Sequence, residues 1–309
     1  MLRFLWLVLS TLLLTGLAQA GNVNFNGNVS GCTRDGDTYT CDPSFLGAND
    51  TAVIGNGKTV IVTGAFQLGY FQGLKMSGTA RLETTGSNDI NLSGAQVANI
   101  DVSGGTIQAG NFVRDANNNL SGGGNFLISN GQSVTANVLG NTVSTDGSSA
   151  TIRGNVTAVT VNMRSSATVT GAVYCYSLTT GSSNVIGGGA TVRDQANLGS
   201  GIKLSGGLSA GTITTGSPAE LNGPVVSKGT IALGSGTVVN GNLSGTEITT
   251  TSSVTLTGTI TATKSFNLAS GSTVNGNITA PTACWRRPAQ PSRAISAPAP
   301  ASTSAAASW

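Results

Sequence analysis

Two short phrases, VRDANNNL (113–120) and VRDQANL (192–198), carry the side chains whose types could do chemistry: Arg114, Asp115, Arg193 and Asp194. On a β-rich scaffold, cleavage of a polysaccharide needs clustered carboxylates, one to protonate the leaving oxygen and one to act as base or nucleophile. The other acids are Asp35, Asp37, Asp42, Asp50, Glu83, Asp89, Asp101, Asp146, Glu220 and Glu247. They are scattered and form no local pair beyond the loop near residue 37. Both Arg-Asp phrases therefore read better as solvated surface contacts than as halves of one groove. The chain contains no His. That removes Ser-His-Asp catalysis and leaves Cys175, in VYCYS, with no base to activate it, so Cys175 reads as a buried or half-buried thiol. No catalytic residue, no cofactor and no metal site is expected.

Cys32 and Cys41 are a different matter. They bracket TRDGDTYT, a polar loop with a DGD turn signal, and a disulfide there would tie down a cap where hydrophobic packing is thin. A metal site would need two further soft ligands, and Cys175 and Cys284 are remote in sequence.

What must position these residues follows from composition. Of 309 residues, 44 are Gly, 9% are charged and 5% are aromatic, which argues against a large mixed α/β core. The apolar fraction of 39% is too high for a disordered Gly/Ser linker. With 15 Lys and Arg against 12 Asp and Glu the chain is close to neutral, so neither a nucleic-acid groove nor a polybasic membrane anchor is indicated. Residues 1–20, MLRFLWLVLSTLLLTGLAQA, have one basic residue, an apolar run and small residues at Ala18 and Ala20. This pattern is that of a secretory signal peptide cleaved before Gly21, and no later stretch is apolar enough for a membrane span.

A repeat dominates the rest. The phrase "apolar, any, Gly, any, apolar" begins at Ile152, Val169, Ile186, Leu204, Leu221, Val239, Leu256 and Val274, about 17.4 residues apart on average. Weaker copies begin at Val62, Met76, Leu92 and Val134. Apolar residues alternate with Thr, Ser or Asn, as in VTVNM (159–163), and no helical stripe is sustained. Three short strands per coil fit this period. The expected fold is all-β, a single-stranded, three-sided parallel β-helix or solenoid of about 17–18 residues per coil. The eight residues above should form one interior column, with Val239 and Leu243 inward, Gly241 in a corner with no room for Cβ, and Asn240 and Asn242 outward. The expected division is a cap at 21–50, a solenoid at 51–280 and a tail at 281–309. The tail, rich in Pro and Ala, reads either as a wall-spanning linker or as a shifted reading frame that truncates a longer stalk.

The phrases VVNGNLSG, LTGTITAT and VNGNITA, recurring every 17 to 18 residues over roughly 150–280, resemble bactofilins. That resemblance implies right-handed triangular β-helices that join end to end into polymers. Bactofilins are typically cytoplasmic and lack a leader, so a cytoskeletal role is not carried over. More weakly, SGCTRDGDTYTC followed by LGANDTAVIGNGKTVIVTG is similar to the start of large exported proteins encoded with the mannose-sensitive haemagglutinin type IV pilus. The expectation for function is a secreted, non-enzymatic stalk of a bacterial cell envelope, structural or adhesive and pilus-associated. Self-association through coil ends or a flat face, or contact with envelope components, pilus components or glycans, would supply its partners. A self-assembling scaffold and a polysaccharide-binding or -cleaving protein are the alternatives.

Overall fold

A strand that alternates small polar residues with Val, Ile or Leu can bury only one face, and the burial along Val156–Met163 follows that alternation from Val156 to Ala158 and again from Val161 to Met163. The computed structural model describes residues 21–285. Expectations for residues 1–20 and 286–309 lie outside the described residues. The chain winds as a parallel β-solenoid whose first face is a sheet of 13 strands, one per coil. At about 4.8 Å per coil the shaft is on the order of 60 Å long.

The eight phrase-initial residues lie in one interior column on this first face, each in register with the next from Ile152 to Val274. Seven are buried, while Val274 is only half-buried because it stands in the last described coil. The column continues toward the N-terminus through Val134, Val102, Met76 and Ile54. Val62 and Leu92 are buried but sit off this column; Val62 pairs with Cys41 and Thr84 on the second face. The reason is spacing. Steps along the column are 22, 26 and 32 residues from Ile54 to Val134, so insertions throw the phrase out of phase there.

Two more columns complete the core. The second runs from Tyr39 through Val60, Leu82 and Ile107 to Val225, Leu243 and Ile260. The third runs from Phe66 through Ile90 and Phe126 to Ile231, Ile248 and Phe266. Each fully buried aliphatic side chain contributes roughly 1.5–3 kcal/mol, and it does so by touching only the coils above and below.

The corners explain the rest of the repeat. Between the first and second faces, glycine stacks on glycine: a Cβ at Gly258 would lie 2.7 Å from the Gly241 carbonyl oxygen, and Gly258 has φ 125°. Neither the space nor the backbone conformation admits a side chain. Between the second and third faces a single strand bends in six coils, as in Val156–Met163 and Val173–Thr180, and is broken in the others. Between the third and first faces, the last inward residue alternates between Thr (145, 180, 215, 250) and Met163, Leu198, Leu233 and Leu268. Where it is Thr, its hydroxyl accepts the next corner N–H, as from Gly199 to Thr180 (2.9 Å) and from Gly234 to Thr215 (2.9 Å). Where it is Met or Leu, the backbone carbonyl accepts instead, as from Gly216 to Leu198 (2.6 Å). The true repeat is therefore two coils, or 35 residues. Thr215→Val keeps the shape but orphans the Gly234 N–H. A loss of about 1–3 kcal/mol is expected in urea unfolding, against almost none for the outward Thr214→Val.

At the N-terminal end, Cys32 and Cys41 are joined by a disulfide with S–S 2.03 Å across an antiparallel hairpin, Cys32–Asp35 with Thr38–Cys41. Residues 21–50, expected as a cap ahead of a solenoid starting at 51, are already wound into the solenoid. Asn22–Asn24 already pairs with Thr51–Ile54 in the first face, and Thr38–Cys41 pairs with Thr59–Val62, so this segment is the first coil with a disulfide-closed ear. Phe25, Tyr39, Phe45 and Phe66 fill the lumen beneath it, with ring centroids 5.1, 5.8 and 6.2 Å apart along the series Tyr39–Phe25–Phe45–Phe66. At the other end the solenoid runs past 280: Thr282–Trp285 pairs in register with Ser265–Leu268.

Candidate functional site

The longest coil owes its length to one insertion. Between Ile107 on the second face and Phe126 on the third, the chain leaves the shaft and forms a small antiparallel hairpin, Val113–Arg114 with Leu120–Ser121. Asp115 holds its tip. The carboxylate accepts from the backbone N–H groups of Asn117 (2.8 Å) and Asn119 (2.7 Å) and from the Asn119 side-chain amide (2.9 Å), with Asn118 at φ 64° closing the turn. This geometry is what an Asp-Ala-Asn-Asn-Asn run favours, since Asx side chains satisfy their own turn. The Asn119 amide bonds, followed by those from Asn117, hold the Asp115 carboxyl below its ordinary pKa.

The hairpin does not stand out into solvent. It lies along the shaft as a strap and lands three coils away. The Leu120 N–H donates to the Tyr176 hydroxyl (2.6 Å), and the Tyr174 hydroxyl donates to the Asn118 carbonyl (2.9 Å). Arg114 stands 4.1 Å above the Tyr174 ring, and Arg193 stands 3.2 Å above the Tyr176 ring. Leu120 and Phe112 are buried beneath the strap, whereas Val113 is exposed.

The two Arg-Asp phrases are thus brought to one surface, by two neighbouring tyrosines that the sequence reading did not single out. The chemistry they offer is not that of an acid-base pair. Arg193 forks its own neighbour Asp194 through Nε and one terminal nitrogen, both at 2.8 Å. That fork holds the Asp194 carboxyl below its usual range and raises the Arg193 guanidinium. A general acid needs a carboxyl pushed the other way. What remains is a platform of two tyrosines edged by two guanidiniums, one of them neutralised. Cys175 points inward between these tyrosines and is fully buried, so it belongs to the core. The side chain of Cys284 lies outside the described side chains.

Away from the strap, Tyr70 and Phe71 form a second exposed aromatic pair, with ring centroids 5.0 Å apart. Among the described residues no three potential metal-ligating side chains cluster, and no helix is long and apolar enough to cross a membrane. A shallow groove of about 210 Å³ runs past Gly189, Gly207, Pro224 and Val226. The corner between third and first faces carries a serine in eight successive coils, Ser148, Ser165, Ser182, Ser200, Ser217, Ser235, Ser252 and Ser270. The residue that follows is left-handed in most of them, and in Ser166 and Ser183 its N–H donates to the next serine carbonyl at 2.7 Å. The same 17–18 spacing would have revealed this ladder in the sequence. Asn240 and Asn242 face outward, and the Asn240 amide donates to Asn222 (2.8 Å). These features define a parallel β-solenoid with one strap. Comparison with protein-family models, curated proteins and solved structures returned no match.

Tyr176→Phe removes the acceptor for Leu120 and leaves the ring beneath Arg193. Cleavage within Ala116–Asn119 by an Asn-specific endopeptidase is expected to rise about tenfold, following the loss of one short hydrogen bond. An unchanged cleavage rate would mean that the apolar contacts of Leu120 and Phe112 alone seat the strap.

Proposed function

We propose that this chain is an exported stalk of the bacterial cell envelope, structural or adhesive, with the resemblance of its N-terminal segment favouring a pilus-associated setting. The observation that carries this reading is the shaft itself: three apolar columns, the first face running through thirteen coils, under a skin rich in Thr, Ser and Asn and low in charge. Such a body is stiff and long for its mass, and its described surface offers recognition contacts rather than a pair of carboxylates tuned apart. The strap and its tyrosines, and the exposed pair Tyr70 and Phe71, are places where that skin departs from uniformity.

The test uses the full chain with its leader in an exporting bacterium. Surface-applied protease should shorten the chain on intact cells, and the purified protein should appear by negative-stain electron microscopy as single rods about 60 Å long. A chain found only in the cytoplasm would overturn the proposal.

One observation favours a self-assembling scaffold as a second reading. Among the described residues, the strands Thr273–Asn275, Ile278–Thr279 and Thr282–Trp285 each have a parallel neighbour on one side only, and Val274 and Ile278 remain half-buried there. An edge of this kind accepts another strand. Filaments in the same micrographs, in place of single rods, would favour the scaffold.

A further inference from the structure

The first described residue is held by an acidic side chain far along the chain. The backbone nitrogen of Gly21 lies 3.1 Å from Oδ1 of Asp50, twenty-nine residues on. The other carboxylate oxygen, Oδ2, accepts from the Gly47 N–H at 2.9 Å, and the Asp50 N–H donates to the Gly47 carbonyl at 3.1 Å. Asp50 is therefore aimed at Gly21 by its own turn. The strand that follows is anchored at the same place: the Thr51 N–H donates to the Gly21 carbonyl at 2.8 Å, and Asn22–Asn24 pairs with Thr51–Val53.

A side chain at position 21 would have to displace the Asp50 carboxylate. A Cβ there would lie 2.7 Å from the Asp50 oxygen. Immediately before it stands Ala-Gln-Ala at 18–20, the small-residue pattern at which a leader is cut. Sequence and geometry thus mark the same bond from its two sides.

We propose that hydrolysis of the Ala20–Gly21 bond creates the partner that Asp50 is built to hold. Water adds across the amide: Ala20 leaves as a carboxylate with the leader, and the Gly21 nitrogen is released as an α-ammonium. That ammonium replaces a neutral N–H···O contact with an ion pair to the Asp50 carboxylate, which is the stronger form of the same bond. Leader removal then tightens the hold on Asn22–Asn24, the strand already paired with Thr51–Val53 at the start of the solenoid. The inference rests on the reading that the chain is exported with its leader cut.

The experiment separates the two ideas. The full chain is exported, purified, and its N-terminal residue is read by Edman degradation and intact mass. Hydrogen exchange is then followed at Asn22–Asn24 and Thr51 in three proteins: the wild type, Asp50→Asn, and a chain with Ser-Ala inserted between Ala20 and Gly21, processed before the inserted Ser. Expected is an N-terminus at Gly21, about tenfold faster exchange in each variant, and no further increase when the two changes are combined. A wild-type chain that starts elsewhere or keeps its leader would overturn the export reading and the capture with it. A chain that starts at Gly21 but exchanges alike in all three proteins would overturn the capture alone.

Discussion

Gly258→Val is expected to split the shaft, destabilising its last coils by more than about 4 kcal/mol while leaving the earlier ones folded. Valine cannot take φ 125° without strain of about 1–3 kcal/mol, and its Cβ would meet the Gly241 carbonyl oxygen at 2.7 Å. Relief requires the coil carrying Leu256 and Ile260 to lift off the coil carrying Val239 and Leu243, which exposes both columns at once. Each coil depends only on its neighbours, so the damage stays local. The readout is tryptic cleavage after Lys264, which in the wild type is paired with Glu247 on the adjoining coil. Rapid cleavage there with survival of the N-terminal fragment is the predicted result, and Thr257→Val, whose side chain faces solvent, is the control. If both variants resist trypsin like the wild type, the glycine corner is not the constraint described.

Cys175 should be close to inert toward thiol reagents in the native protein. Burial, and secondarily the charge of Asp194, push its pKa from 9.0 up to about 12. At pH 8 the thiolate fraction falls from about one in ten to about one in ten thousand, so alkylation should be roughly a thousandfold slower than in urea. The same shift has a consequence for stability. Below pH 9 both states keep the proton and nothing is lost. Between pH 9 and about 12 the unfolded chain releases it while the folded chain holds it, so native stability declines with rising pH, by up to about 4 kcal/mol once both limits are passed. Other side-chain types also ionise at alkaline pH in model peptides. The comparison is therefore between wild type and Cys175→Ala at pH 8 and 11, and a decline of equal size in both would refute the assignment to Cys175.

The sequence made the first-face column readable because its five-residue phrase contains the strand end, the corner glycine and the start of the next face. Val239, Gly241 and Leu243 state their roles by spacing alone. In the N-terminal half the same logic failed at Val62 and Leu92, because steps of 22, 26 and 32 residues break the phase; Ile54 holds the column without the phrase, and Val102 carries it as VSGGT, with Thr in the last apolar place. The strap was hidden for another reason. Arg114 and Arg193 were visible as types, but the tyrosines that receive them are joined to Asn118 and Leu120 across 56 residues, a distance no local period encodes. The 35-residue alternation of Thr with Leu or Met was present in the letters, but only the hydrogen bonds to Thr180 and Thr215 show why it exists.

Nearly every strand in this shaft pairs with the strand one coil before and one coil after, a sequence separation of 17–18 residues through most of its length. Loop closure over so short a span is entropically cheap, and it costs the same at the tenth coil as at the third. Such a chain needs no simultaneous assembly of distant parts. It can lay down one coil at a time, each new coil closing on the one before it and making its unwinding harder.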